Sequence, residues 1–232
     1  MDPDGSPVKT HRRYDSSGRQ DRARLVRAHV LDVAEKLFLG RGYGSTTVAA
    51  IAATAGVSVE TIYKKFGGKP GLIRSIQQAG LAGIGPTPAP DRADAMSAQA
   101  LEPHATLRHW ATLQTEVMPR VAPIILLVRS AAATDSDMAE LLKDIDEQRL
   151  TRMLHNARRL GDRGQLRPGM TTEQARDVMF AFTAPDLYDI LVTRQKWSID
   201  HYGDFIYRGL VAELLVPHSR FPPDDGAPTA GL

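Results

Sequence analysis

Apolar residues recur at helical spacing along most of the chain, and stretches rich in glycine, proline and hydroxyl side chains separate them. The first clear stripe comprises Val30, Leu31, Ala34, Leu37 and Phe38, which fall on one face of a helix. Similar patterns continue to about residue 215, and no stretch alternates for long enough to predict a sheet. The pattern therefore predicts an all-α protein.

Two short helices with a glycine between them are predicted in the first third of the chain. Thr46 and Thr47 offer hydroxyl caps for a helix through Ile51, Gly56 ends that helix, and Ser58 caps the next one. This arrangement is typical of a helix-turn-helix, whose second helix fits the major groove of DNA and presents its first residues to base edges. Two short capped helices also occur in all-α proteins that do not bind DNA.

The candidate DNA contacts lie on and around the second of these helices. Val59, Glu60 and Thr61 occupy its first turn and can contact base edges. Tyr63 and Lys64 can reach phosphate oxygens, and Lys65 can reach either a phosphate or a base. The full predicted set is Thr46, Thr47, Ser58, Val59, Glu60, Thr61, Tyr63, Lys64, Lys65 and Lys69.

Charge supports a nucleic-acid partner, although the overall net charge is only +2. Residues 1–80 carry 13 Lys or Arg against 7 Asp or Glu, whereas residues 81–232 carry 16 against 20. A basic first third on an acidic remainder suits a segment that binds double-stranded DNA.

Cysteine content and hydropathy exclude several other classes. The chain has no cysteine, so disulfides, thiolate metal sites and cysteine nucleophiles are absent. The apolar run over residues 121–128 is far shorter than the ~20 residues that span a bilayer, and no signal peptide is evident. We therefore expect a cytoplasmic protein with no membrane partner.

The stretch from Val30 to Leu72 resembles the DNA-binding region of the TetR family of transcriptional regulators. The matching segments are residues 30–38 (VLDVAEKLF), 41–43 (RGY), 46–48 (TTV), 51–52 (IA), 55–58 (AGVS) and 61–63 (TIY), with Phe66 and Lys69. The family usually has a small or basic residue where Glu60 stands, and often a histidine or aromatic residue where Lys65 stands. Because both positions lie on the predicted reading face, the operator sequence cannot be carried over.

Composition along the chain, taken together with the resemblance, predicts the organisation of the whole chain. The expected segments are a flexible basic arm over residues 1–20, a helix-turn-helix DNA-binding domain over 21–68, a connecting helix over 69–82, a loop or linker over 83–103, a ligand-binding and dimerisation domain over 104–216, and a flexible tail over 217–232. The body beyond residue 80 matches the family only in its helix layout.

The resemblance further implies a pocket in the helical body and a homodimer through the last two long helices. The larger apolar residues and the histidines of the middle helices are the candidates for the pocket, namely His109, Trp110, Met118, Met153, His155, Phe180 and Tyr188. Apolar residues of helices near 172–184 and 200–215 are the candidates for the dimer, namely Val178, Met179, Phe182, Phe205, Ile206, Leu210 and Leu214.

The predicted function is a ligand-responsive transcriptional regulator, a repressor, that binds a palindromic operator as a dimer and is released by a small, mostly apolar molecule. One alternative is a ligand-independent structural DNA-binding protein, which a body without a cavity would favour. The other is an enzyme, but the chain has no HExxH, GxSxG or glycine-rich phosphate loop, and His104 and His109 are spaced five apart. We expect no catalytic residues, no cofactor and no metal site.

Overall fold

The computed structural model describes residues 17–215 apart from residue 101, and helices are the regular structure found throughout these residues. The all-α prediction is confirmed. Most of the predicted arm and the predicted tail over residues 217–232 lie outside the described residues. Residues 17–20, which were predicted as part of a flexible arm, instead form the first turn of a long helix.

The first three helices form a compact head. They are α1 (Ser17–Arg41), α2 (Val48–Ala55) and α3 (Val59–Phe66). The side chain of Thr47 caps α2 by accepting from the Ala50 amide at 3.1 Å. Gly56 adopts a left-handed conformation (φ 65°) in the turn before α3, where a residue with a Cβ would be strained. The predicted cap at Thr47 and the predicted turn at Gly56 are thus confirmed, whereas Thr46 does not cap α2.

The fourth helix, α4 (Lys69–Ala82), joins the head to the rest of the molecule. It has the bounds expected for the connecting helix. At its start it packs tightly on α3, since a Cβ at Gly71 would lie 1.5 Å from the Phe66 carbonyl oxygen. Near its end it packs tightly on a body helix, since a Cβ at Gly80 would lie 2.8 Å from Val121 Cγ1. The head and the body are therefore in close contact with opposite ends of one helix.

The predicted loop or linker over residues 83–103 is wrong, because residues Ala89–Gln99 form a helix, α5. Its buried face consists of Ala89, Ala93 and Ser97, which are spaced four apart. Small residues at that spacing leave no large apolar stripe, so the pattern of the sequence does not reveal the helix. Its fixed position depends on contacts with other helices, described below.

The helix α6 (Pro103–Ala132) is continuous, although it contains Pro119 and Pro123. A proline inside a helix removes a backbone hydrogen bond and costs ~3 kcal/mol. Burial of neighbouring residues such as Val121 and Ile124 offsets this cost. By length and composition α6 could cross a membrane, but it packs in the middle of the body against α4, α7 and α10.

The remaining helices complete the body. They are α7 (Ser136–Asp162), α8 (Thr172–Phe182), the short α9 (Pro185–Tyr188), which continues as a π-helical turn over Asp189–Arg194, and α10 (Ile199–Leu214). A capping box of Thr171 and Gln174 begins α8. The core runs without interruption from the head to α10.

Candidate DNA interface and ligand cavity

The exposed face of α3 brings together most of the predicted DNA contacts. The charged residues Glu60, Lys64 and Lys65 are exposed. The apolar Val59 and the aromatic Tyr63 are also exposed, to 40% and 56% respectively. The opposite face anchors the helix, because Ile62 and Phe66 are buried in the head. A free face of this kind can enter a groove while the core holds the helix rigid.

Two of the predicted hydroxyl groups fix the start of α3. The side chain of Ser58 accepts a hydrogen bond from the Thr61 amide at 3.1 Å, and its Oγ also lies 2.8 Å from Thr61 Oγ1. Ser58 therefore acts as the N-cap, as predicted, and it also orients the hydroxyl of Thr61. The half-buried Thr61 remains at the edge of the exposed face.

Thr46 does not belong to this surface, and that prediction is wrong. Its side chain is 1% exposed, and its Oγ1 lies 2.8 Å and 3.1 Å from the carbonyl oxygens of Gly42 and Leu37. The Thr46 hydroxyl therefore donates hydrogen bonds to backbone carbonyls at the C-terminal end of α1. The neighbouring Thr47 is exposed and caps α2.

Lys69 lies at the start of α4 in an environment that the sequence did not reveal. Its Nζ donates to the Tyr43 carbonyl at 2.6 Å and lies 3.9 Å from the centre of the Tyr43 ring. Burial lowers the pKa of Lys69, and the carboxylate of Asp135, at the start of α7, acts in the opposite direction. An ammonium group has three donors, so this bond leaves donors for a phosphate.

The body contains an apolar cavity of about 250 Å³ between α4, α5, α6 and α7. Of the predicted pocket residues, Trp110, Met118 and Met153 line it. The other predicted residues, His109, His155, Phe180 and Tyr188, do not. Nearby, the Arg149 guanidinium lies over the Phe180 ring at 4.2 Å, and Tyr188 packs edge-on against Tyr202.

Several residues that line the cavity were not predicted. Those that are polar or small include Gln77, Ala93, Gln114, Arg149, Arg152, Asn156 and Thr183, and Leu81 is an apolar residue of α4 that was also not predicted. A glutamine or asparagine inside an apolar stripe is the signal that could have indicated Gln114 and Asn156. The contribution of α5 could not be anticipated, because that segment was taken for a loop.

A carboxylate on α5 closes one side of the cavity by binding α7. Asp94 accepts from Arg152 at 2.8 Å and 2.9 Å, and it lies 3.4 Å from Arg159 and 3.3 Å from His155. Burial alone would raise the pKa of the Asp94 carboxyl, but these groups, Arg152 first, lower it below its ordinary value. The carboxylate thus stays charged at neutral pH and holds α5 over the cavity.

Four of the predicted dimer residues are buried within the single chain, and their assignment to the dimer is wrong. They are Met179, Ile206, Leu210 and Leu214, each at most 3% exposed. Val178, Phe182 and Phe205 are half-buried. The rings of Phe182 and Phe205 lie 6.1 Å apart, and Trp197 packs edge-on against Phe205 at 5.8 Å. These residues form a partly exposed aromatic patch on α8 and α10.

Comparison with protein families identifies the head. Residues 30–76, which include α2, α3 and the first half of α4, match the family described as bacterial regulatory proteins, tetR family. The head is that of the TetR family. A comparison with curated protein sequences gave no match.

The TetR-type head and the helical body together are similar to solved structures. SmeT in complex with triclosan is 22% identical, with a TM-score of 0.65, and the match covers 89% of this chain and 100% of SmeT. NalD, the secondary repressor of the MexAB-OprM multidrug efflux pump in Pseudomonas aeruginosa, is 18% identical, with a TM-score of 0.64 and coverage of 83% and 98%. A transcriptional regulator from Saccharomonospora viridis in complex with choline is 18% identical, with a TM-score of 0.62 and coverage of 83% and 99%. At these identities the likeness establishes the fold.

Proposed function

We propose that this protein is a cytoplasmic, homodimeric transcriptional repressor that binds a palindromic operator and is released by a small, mostly apolar molecule. The observation that carries the proposal is that α4 belongs to both candidate sites. Its first residue, Lys69, lies beside the DNA-binding face, and Gln77 and Leu81 line the cavity.

In this arrangement a ligand bound in the cavity can act on the head through α4. A molecule in the cavity contacts the second half of α4, whose first half is packed against α3 at Gly71. In a dimer, a small change in the angle of α4 changes the distance between the two heads. A ligand can release DNA only to the extent that it binds the conformation with the wrong spacing more tightly.

The cavity favours a sensor over a ligand-independent structural DNA-binding protein. A fully packed body would have left no room for an effector, whereas about 250 Å³ is large enough for a small organic molecule. Two of the similar structures hold small molecules, triclosan and choline. NalD is a repressor, which is the basis for proposing repression here.

Selection of duplexes from a random library by the purified full chain tests the DNA part of the proposal. We expect an inverted repeat whose half-sites are separated by about one or two helical turns, because each α3 reads only a few base pairs. Thr61→Ala and Lys65→Ala should change the selected half-site, because both residues border the exposed face of α3. Selection of a single, non-repeated site by the wild-type protein would contradict the dimeric arrangement.

A thermal-shift screen of apolar and strongly charged compounds, followed by release assays on the selected duplex, tests the ligand part. The apolar compounds should stabilise the protein and release the DNA. Ala93→Phe, which fills the cavity from α5, should abolish both effects while DNA binding remains. Ala95→Phe, on the exposed side of α5, is the matched control. Stabilisation and release by nucleotides and other highly charged compounds alone would refute the assignment of the cavity.

A further inference from the structure

The N-terminal half of α1, residues 17–29, extends beyond the core of the head, and we call it the α1 extension. Its side chains over residues 20–29 are all exposed, whereas the next one, Val30, is buried. As a helix, the extension measures about 20 Å. Most helices in proteins are stabilised by packing of one face, so a segment this exposed adds little to the core. The extension is therefore placed to contact a molecule outside the chain.

Contacts made by α1 place the extension beside the end of α3. In the middle of α1, Glu35 lines a small cleft together with Arg120 of the body helix α6. Two turns nearer the N-terminus, the Arg27 guanidinium lies 4.7 Å from the centre of the Phe66 ring, and it donates to Ser75 Oγ at 3.1 Å. Phe66 is the last residue of α3. The extension therefore begins next to the C-terminal end of the helix predicted to enter the major groove.

The α1 extension is basic, and its two faces differ. Its sequence contains four arginines and one aspartate. Arg22 lies eight residues, close to two helical turns, before the buried Val30, so it falls near the face of α1 that packs on the head. It forms no ion pair or hydrogen bond with any residue that the structure describes. Arg24, which is rotated by about 200° from Arg22, pairs instead with Asp21 at 3.1 Å.

The phosphate backbone of duplex DNA fits this position and charge. Guanidinium groups bind phosphate oxygens strongly, and contacts of this kind fix a protein on the duplex without reading its sequence. The last turn of α3 carries the exposed Lys64 and Lys65, so its basic surface adjoins that of the extension. A duplex in contact with α3 therefore passes close to the extension. An acidic protein would use the same charge, but it would not require the extension to lie beside α3.

We infer that the α1 extension binds the DNA backbone through Arg22, next to the base pairs that α3 reads. This inference rests on the DNA part of the proposed function, and it gives each head a second contact surface that the sequence did not reveal. The contact adds affinity and lengthens the stretch of DNA that each head covers, but it leaves the choice of bases to α3.

Titration of the full chain with the selected inverted repeat at several salt concentrations tests the inference. Arg22→Ala should lower the slope of log affinity against log salt by about one unit per head, and it should weaken binding about tenfold at physiological salt. Arg22→Lys keeps the charge and should retain most of the slope. Arg24→Ala is the matched control, because it removes an arginine of the same helix from the opposite face, and it should leave the slope nearly unchanged. All of these side chains are exposed, so the melting temperature should not change.

Hydroxyl-radical footprinting on the same duplex gives a second measurement. Arg22→Ala should lose protection of a few backbone positions in each half-site, and the sequence that it selects should be that of the wild type. An unchanged slope and footprint would overturn the inference and leave DNA binding by α3 in place. Equal losses in Arg22→Ala and Arg24→Ala would show an effect of net charge alone and would also overturn it. Failure of the wild-type protein to bind any duplex would refute both the inference and the DNA part of the proposed function.

Discussion

Adjacent residues with the same side chain have different roles in the head. Thr46 and Thr47 both precede α2, yet the hydroxyl of Thr46 is buried against α1 while Thr47 caps α2 at the surface. The sequence predicts that hydroxyl groups cap this helix, because capping depends on local chemistry. It does not predict which threonine is buried, because that depends on how α1 packs against α2.

Lys64 and Lys69 allow the phosphate contacts to be separated from the stability of the head. Lys64→Ala should lower the slope of log affinity against log salt by about one unit per head, because one phosphate contact is lost. The same variant should keep the wild-type melting temperature, since Lys64 is exposed. Titrations at several salt concentrations measure the slope.

Lys69→Ala should show the same loss of slope and, in addition, a loss of about 1 kcal/mol in the free energy of unfolding. The reason is that Lys69 donates to the Tyr43 carbonyl and lies over the Tyr43 ring. Denaturant unfolding measures the second effect. An unchanged slope would show that Lys69 serves only the packing of the head.

At the scale of the element, the sequence predicts a helix well where the helix carries its own signals. The caps Ser58 and Gly67 bound α3, and both can be read from the chain. In contrast, α5 depends on tertiary contacts, because its buried face is formed by Ala89, Ala93 and Ser97 and its main tie is the carboxylate of Asp94. The sequence also does not reveal that packing against the other body helices keeps α6 continuous at Pro119 and Pro123.

Asp94→Asn should release α5 from α7 without unfolding the molecule. The variant removes the charge shared by Arg152, Arg159 and His155, and we expect a local loss of about 1–2 kcal/mol, or five- to thirtyfold faster hydrogen exchange within α5. Hydrogen-exchange mass spectrometry measures it. Asp91→Asn, at an exposed position on the same helix, should leave the exchange rates nearly unchanged.

The interactions of the Asp94 carboxylate also determine how α5 responds to pH. Because the pKa of Asp94 is lowered in the folded protein, its contribution is complete above the ordinary pKa of about 4 and is lost as the pH falls through the lowered value. Between pH 6 and 8 Asp94 therefore stays ionised, and the stability of wild-type α5 measured by hydrogen exchange should stay constant. A marked loosening of α5 within that range would show that another group holds the helix.

At the scale of the whole molecule, burial restricts which surface can form a dimer. The apolar spacing of α10 predicts a stripe, but it does not indicate whether that stripe faces the core or a partner. The structure directs Ile206, Leu210 and Leu214 into the core and leaves Phe182 and Phe205 partly exposed. The ring of Phe182 also lies against Gly209, where a Cβ would be 2.2 Å from a ring carbon, so α8 and α10 present one continuous face. We propose that this face forms the dimer.

Phe205→Glu should therefore yield a folded monomer, because a charge placed in an apolar interface has no partner there and remains hydrated on the free monomer. Leu210→Glu should instead unfold the chain, since Leu210 is 3% exposed in the core of a single protomer. Sedimentation velocity and circular dichroism distinguish these results, and Ala53→Glu, at an exposed position on α2, should remain dimeric.

Loss of the dimer should lower affinity for the selected inverted repeat by roughly a hundredfold or more, because the second head no longer binds at a high effective concentration. Affinity for an isolated half-site should stay unchanged, since the face of α3 is intact. A folded Phe205→Glu dimer would place the interface on another surface.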